Sequence, residues 1–166
     1  PLIIIEAAKL IDKRKSIFIF GLRTSNVLSQ YLGHYLRMMG FEVILIESTL
    51  TEPYEYLINM NKEDVLICVS YPRYSQKTIQ NIKFVYDKGY KIISITDSET
   101  SPVYEYSNIS LIARSSMNSF IDSLVSPLVL INTLVLAISA ITSRNVKESF
   151  RELEEFWDIN KTYEKI

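Results

Sequence analysis

The sequence predicts an α/β protein with three layers, in which helices cover both faces of a five-stranded parallel sheet. Four apolar runs rich in β-branched residues have the composition of strands that are buried on both faces. Helix-length segments separate these runs, and right-handed crossovers between successive strands place such helices on either side of the sheet. The segments GFEVILIES at 40–48 and GYKIISITDS at 89–98 nearly repeat one another, which indicates successive helix-to-strand units.

The candidate strands are short apolar runs that lie between turn-forming residues. A weak run at 108–113 follows the turn at Pro102, and we expect it to form an edge strand. The four stronger runs lie at residues 16–21, 42–47, 64–70 and 91–97.

Helices are predicted before, between and after these strands. A helix within residues 1–14 leads into the first strand, and the connecting helices cover residues 26–39, 53–60 and 76–88. Gly40 and Gly89 stand where a left-handed cap would end a helix. A charged amphipathic helix over about 143–163 ends the chain, with one apolar stripe formed by Val146, Phe150, Leu153 and Trp157.

The segment 120–141 is apolar on nearly every face and is long enough to cross a bilayer. It also carries polar side chains, among them Asp122, Asn132 and Thr133, and it follows an α/β pattern. We therefore expect a helix of the core and of a subunit interface, and no membrane partner.

Composition excludes several classes of protein. The chain has 166 residues, 48% of them hydrophobic, which predicts a single domain over 1–166. A net charge of −1 provides no basic surface for nucleic acid. One cysteine, Cys68, excludes an internal disulfide and a cysteine-based zinc site, and it suits a reducing cytoplasm. The four glycines are too scattered for a Walker A loop or a GxGxxG fingerprint. We predict that the chain binds no cofactor and no metal.

Ligands of open parallel sheets bind beyond the carboxyl ends of the strands, where the strand order reverses. The loops after the first and third strands each combine hydroxyls, an arginine and a helix N-terminus, which together favour an anion. In the usual order 2-1-3-4-5 these two strands are neighbours, and both loops face one crevice. The predicted ligand is a phosphate monoester, although the hydroxyls could also serve only as helix caps. The candidate binding residues are Gly21, Arg23, Thr24, Ser25, Ser70, Arg73, Ser75 and Thr78.

Over about residues 5–142, these loops, the strand end at 95–98 and a helix starting near Ser119 resemble the SIS (sugar isomerase) domain. The run Ser-Tyr-Pro-Arg-Tyr-Ser at 70–75 resembles more particularly the effector-binding half of MurR/RpiR-type bacterial transcription regulators. In the wider family the loops read Gly-x-Gly-x-Ser and Ser-x-Ser-Gly-x-Thr, and both bind sugar phosphate. Here Arg23 replaces the second glycine, and residues 71–74 form a longer insertion.

The resemblance implies a sheet of order 2-1-3-4-5, a homodimer and, in the full regulator, an N-terminal helix-turn-helix domain that this chain lacks. The function it favours is a non-catalytic, phosphosugar-sensing and dimerisation domain of a bacterial regulator in the cytoplasm. The expected partners are a phosphorylated sugar effector and a second copy of the chain, with DNA bound only through the missing domain. Because the chain starts at Pro1 within a helical pattern, we expect it to be a piece of a longer protein.

Two alternatives stay open. A dimerisation module could have lost its ligand, and a sugar-phosphate isomerase would need a positioned base for proton transfer. Glu47, or Glu52 in the loop beyond it, could approach the crevice as that base, although each could equally be a solvated loop acid. His34 is the candidate for ring opening, but it lies mid-helix and is expected to be structural. Asp97 and Arg114 follow strands, where each could hold a loop or meet a sugar.

Overall fold

The computed structural model describes residues 2–47, 52–115 and 122–162. Helices and strands alternate along the chain as the sequence predicts. The helices are α1 Leu2–Asp12, α2 Thr24–Met38, α3 Pro53–Leu57, α4 Gln76–Asp87, α5 Val125–Ile141 and α6 Val146–Ile159, with a short 3-10 helix at Tyr104–Tyr106. The strands are β1 Ser16–Gly21, β2 Glu42–Ile46, β3 Val65–Val69, β4 Lys91–Thr96 and β5 Ile109–Ile112.

All five strands are parallel and lie in the order β2-β1-β3-β4-β5, so the predicted fold class is confirmed. The order reverses between β1 and β3, which are direct neighbours in the sheet. Gly21 at the end of β1 is paired with Val69 at the end of β3. The loops that follow these strands therefore start side by side at the C-terminal end of the sheet.

The sheet separates two hydrophobic cores because successive side chains of each strand point to opposite faces. On one face, Ile17 and Ile19 of β1 pack with residues of α1, α2 and α5. On the other face, Phe18 and Phe20 pack with residues of α3 and α4. The three central strands are buried on both faces, apart from the exposed Lys91 at the start of β4.

Strand β2 departs from the expectation of burial on both faces. Glu42 is exposed and the next three residues are only half-buried. The reason is its position at the edge of the sheet, where a strand has a neighbour on one side only. Strand β5 lies at the opposite edge, as predicted.

The predicted helix ends are confirmed at two glycines and corrected at one helix start. Gly40 and Gly89 have φ values of 81° and 73°, the left-handed conformation expected after α2 and α4. The helix predicted from residue 120 begins at Val125. Residues 122–124 are not helical, and residues 120 and 121 lie outside the described part of the chain. Along α6, Val146, Leu153 and Trp157 are half-buried and Phe150 is exposed.

Helix α5 packs along α1 and against α2, on one face of the sheet. Thr142, which follows α5, and Arg144 both contact the Asp12 carboxylate at the end of α1. No helix within residues 2–47, 52–115 and 122–162 is long and apolar enough to cross a membrane.

Candidate functional site

The loops after β1 and β3 line one cavity together with the chain that precedes α5. Seven of the eight predicted site residues lie on its wall: Arg23, Thr24, Ser25, Ser70, Arg73, Ser75 and Thr78. Leu28, Val69 and Leu124 form an apolar part of the same wall. Ser115, Asp122 and Ser123 complete it with polar groups that the sequence analysis did not identify.

Gly21, the eighth predicted residue, lies behind the cavity and is not part of its wall. A Cβ atom at this position would lie 2.5 Å from Ser29 Oγ and 2.7 Å from the carbonyl oxygen of Ser25. The missing side chain therefore allows the first turn of α2 to approach the end of β1. Its structural role is to position Thr24 and Ser25.

In the first loop, Arg23 immediately precedes α2 and has a φ of 55°. This left-handed conformation is the one that a glycine would adopt without strain, and Arg23 stands at the second glycine of the family pattern. Ser25 is 9% exposed, and its backbone N–H donates to the carbonyl of Leu22 at 3.1 Å. The Arg23 side chain makes no capping hydrogen bond at the start of α2.

The second loop repeats this arrangement at the start of α4. Arg73 has a φ of 68°, and Ser75 precedes the first helical residue in an extended conformation. The Ser75 hydroxyl makes no capping hydrogen bond to the helix. Helix capping alone therefore does not account for the hydroxyls, and the N-termini of α2 and α4 both adjoin the cavity.

Two tyrosines hold the insertion 71–74 in place. Tyr74 donates a hydrogen bond of 2.7 Å from its hydroxyl to Asp97 Oδ1 at the end of β4. Burial raises the pKa of Tyr74, and the bond to Asp97 raises it further, so the phenol stays protonated at neutral pH. Burial likewise raises the pKa of Tyr71, which lines the cavity and packs against the core. Asp97 thus holds the loop, one of the two roles considered for it.

A carboxylate lies among the cationic and hydroxyl groups of this cavity. Arg73 Nη2 donates to both carboxylate oxygens of Asp122, each at 3.1 Å. Thr24 Oγ1 donates to Oδ2 of the same carboxylate, also at 3.1 Å. Asp122 therefore joins the two loops, although it lies 98 residues from Thr24 and 49 from Arg73. No local sequence pattern could have identified it, because the contact depends on the folded chain path.

The remaining candidate residues lie elsewhere. His34 is exposed on α2, with its ring against Tyr35 at a centroid distance of 5.2 Å. Glu47 and Arg114 are exposed after β2 and β5, and neither lines the cavity. Across the described ranges, no cluster of three His, Cys, Asp or Glu side chains could hold a metal ion.

Comparison with known families matches residues 9–137 to the SIS domain. A curated relative from Haemophilus influenzae, an uncharacterized HTH-type transcriptional regulator, is 29% identical over 109 residues. The matched part is 64% of this chain and 37% of the relative, so this chain spans much less than the whole regulator.

Solved structures share the fold at low sequence identity. The sugar isomerase domain of an RpiR transcription factor from Sphaerobacter thermophilus superposes with a TM-score of 0.87 at 22% identity, over 93% of this chain and 87% of that one. The NanR protein of Vibrio vulnificus, complexed with ManNAc-6P, gives 0.81 at 19% identity, over 94% and 60%. A Methanococcus jannaschii protein whose structure infers a 3-hexulose-6-phosphate isomerase gives 0.60 at 19%, over 99% and 86%.

The family match covers most of the chain, and the observed strand order and paired hydroxyl loops agree with it. This chain belongs to the SIS domain family.

Proposed function

We propose that this chain is the phosphosugar-sensing and dimerisation domain of a bacterial transcription regulator, and that it is not catalytic. The observation that carries the proposal is the cavity in which two helix N-termini meet hydroxyls and two arginines, the preceding residues Arg23 and Ser75 making no side-chain capping hydrogen bond. In this proposal the whole chain forms one domain, and DNA is bound through a helix-turn-helix domain elsewhere in the regulator.

The charge distribution of the cavity suits a phosphate group. The first N–H groups of a helix have no partner within the helix, and the helix dipole adds partial positive charge at that end. Helices α2 and α4, with 15 and 12 residues, are long enough to contribute the dipole. At the start of α2 the N–H groups of Ser25 and Asn26 already donate to the carbonyls of Leu22 and Arg23, so this helix contributes mainly through its dipole. The guanidinium groups of Arg23 and Arg73 add two positive charges beside the hydroxyls of Ser25 and Ser75. A phosphate monoester has enough acceptor oxygens for these donors.

The similar proteins support the ligand class. The NanR structure contains ManNAc-6P, and 94% of this chain superposes on the NanR fold. The Haemophilus influenzae relative is named as a transcriptional regulator. We therefore propose a phosphorylated sugar as the effector of this chain.

The positions of the acids and bases support a sensor more than an isomerase. Glu47 and Glu52, the candidate bases, and His34, the candidate for ring opening, lie outside the cavity wall. Asp122, whose carboxylate lines the cavity, accepts hydrogen bonds from Arg73 and Thr24. The isomerase remains the second candidate, because Asp122 is an acid in the cavity and some neighbours with this fold are named as isomerases.

Dimerisation is supported by exposed apolar side chains on α1 and α5. Val125, Val129 and Leu136 lie along one stripe of α5 and are 69%, 61% and 70% exposed. Leu2 and Ile3 on α1 are 77% and 45% exposed, and α1 packs on α5. A second copy of the chain on this surface would remove these side chains from water.

Isothermal titration calorimetry with a panel of sugar phosphates tests the proposal. Ser25→Ala and Ser75→Ala each remove a hydroxyl from the cavity, and we expect each to weaken binding about tenfold, as for a hydrogen bond to a charged group. Ser149→Ala is the matched control, because that hydroxyl donates to the carbonyl of Asn145, the residue that precedes α6, and does not line the cavity. Absence of binding across the panel would refute a phosphosugar sensor. Exchange of a sugar C–H with deuterated solvent would favour the isomerase instead.

A further inference from the structure

The cavity that suits an anion already contains a negatively charged side chain. Asp122 accepts from one hydroxyl and from the Arg73 guanidinium, which are donors that a phosphate group would use. The two bonds from Arg73 to the carboxylate oxygens are equal in length, at 3.1 Å. Phosphate and carboxylate oxygens are interchangeable acceptors for a guanidinium.

We propose that Asp122 is an internal competitor for the anion site. Its carboxylate takes the place of phosphate oxygens on Thr24 and Arg73, and an arriving phosphate must displace it. This inference rests on the proposed function and adds how the site is regulated. The affinity measured for a ligand then includes the loss of the Asp122 contacts.

The arrangement allows Asp122 to leave. The Arg73 side chain is 62% exposed and that of Asp122 is 21% exposed, so water reaches the pair mainly from the arginine side and screens it. Asp122 belongs to the non-helical residues that precede α5, whereas Thr24 is the first residue of α2 and Arg73 lies in the loop after β3. A phosphate dianion carries more charge than a carboxylate. It can also contact the N-terminus of α4, whereas the hydrogen bonds of Asp122 come from Thr24 and Arg73.

Displacement of Asp122 would reach α5. Only Ser123 and Leu124 separate Asp122 from Val125, the first residue of this helix. Ser115 donates a hydrogen bond of 2.9 Å to the Ser123 carbonyl, so the same short segment also contacts the chain after β5. The first turns of α5 carry Val125 and Val129, which belong to the exposed stripe. Ligand binding and the proposed dimer surface are therefore connected through residues 122–124.

The decisive variant is Asp122→Asn, which keeps the size of the side chain and removes its charge. By calorimetry, we expect it to bind inorganic phosphate and ManNAc-6P about fivefold more tightly than the wild type, the factor expected for loss of an ion pair that water reaches from one side. Asp87→Asn is the charge-matched control, because Asp87 is exposed at the end of α4 far from the cavity. Its affinity should equal that of the wild type.

Two further measurements separate competition from a general effect of charge. In an Arg73→Ala background, Asp122→Asn should give much less gain, because the main partner of the carboxylate is gone. In the wild type, hydrogen exchange of the amides at 122–128 should become faster when ManNAc-6P binds. This second readout needs no variant to fold.

The outcomes distinguish the two proposals. If the wild type binds and Asp122→Asn binds equally or more weakly, Asp122 is a ligand contact or positions Arg73, and the competitor role is wrong. Slower exchange at 122–128 on binding would overturn it as well. If no folded variant binds either probe, the phosphate site itself is refuted, and the competitor role with it.

Discussion

Gly21→Ala tests the close approach of α2 to the sheet, on which the geometry of the cavity depends. The added Cβ would lie 2.7 Å from the Ser25 carbonyl oxygen and 2.9 Å from its carbon, where ordinary contacts begin at 3.4 Å. Both are backbone atoms of the first turn of α2, so no side-chain rotation can remove the clash. The start of the helix must move by about 0.7 Å, the shortfall at the oxygen.

The magnitude follows from two opposing effects. Overpacking a buried site costs about 1–3 kcal/mol, whereas replacing glycine reduces the entropy of the unfolded chain and returns about 0.4–1 kcal/mol. We therefore expect a net loss of about 1–2 kcal/mol in the free energy of unfolding. For a chain of this length this loss corresponds to a melting temperature lower by roughly 2–8 °C. Sugar-phosphate affinity should fall about tenfold, because Thr24 and Ser25 move with the helix.

Differential scanning calorimetry and ligand titration measure both effects. Gly33→Ala is the matched control, because its Cβ would meet Leu45 Cδ2 at 2.8 Å, the end of a half-buried side chain that can rotate. Alanine also favours the interior of a helix, so this control should lose little or no stability. Adding Ser29→Ala to Gly21→Ala removes the contact at 2.5 Å but leaves the carbonyl clash. That double variant should recover only part of the loss.

The reasoning would be refuted by a Gly21→Ala protein as stable as the wild type. Full recovery of stability on adding Ser29→Ala would also contradict it, since the hydroxyl and not the helix backbone would then be the obstacle. A loss of stability without a loss of affinity would show that the position of α2 does not control the cavity.

Two predictions concern residues outside the cavity. Burial raises the pKa of the Cys68 thiol to about 12, so at pH 8 the folded protein should hold almost no thiolate. It should react with a thiol reagent only on unfolding, and rapid labelling of the native protein would contradict this. Arg144→Ala removes a 3.0 Å ion pair with Asp12 and a cation–π contact with Phe41, and should lower the free energy of unfolding by about 1–2 kcal/mol in a denaturant titration. Arg151→Ala, which breaks an exposed pair with Glu148 on α6, should change it by less than about 0.5 kcal/mol.

The sequence predicted the elements whose signals are local. Runs of β-branched residues predict the five strands, and the left-handed conformations of Gly40 and Gly89 end helices where the pattern indicates. The strands match the predicted runs to within a residue at each end. For β1, β3 and β4 the reason is that burial on both faces requires a continuous apolar stretch. For β2 the same inference was wrong, since the pattern within a strand does not say which strand will be its neighbour.

The start of α5 shows a different limit. An apolar segment with helical length predicts a helix, but the polar residues Asp122 and Ser123 near its beginning are compatible with several starts. Asp122 and Ser123 contact residues of other loops in place of extending the helix. Local propensity could not determine this outcome, because the competing partners are far away in the sequence.

The sequence by itself determined the layered α/β fold and the two hydroxyl loops, because periodicity, glycine caps and helix starts depend on neighbouring residues. Only the tertiary structure decided that Thr24 and Arg73 share the carboxylate of Asp122, and that His34 and Glu47 lie away from the cavity. Which polar groups face one another depends on the path of the whole chain, and an electrostatic contact between loops leaves no periodic signal along it.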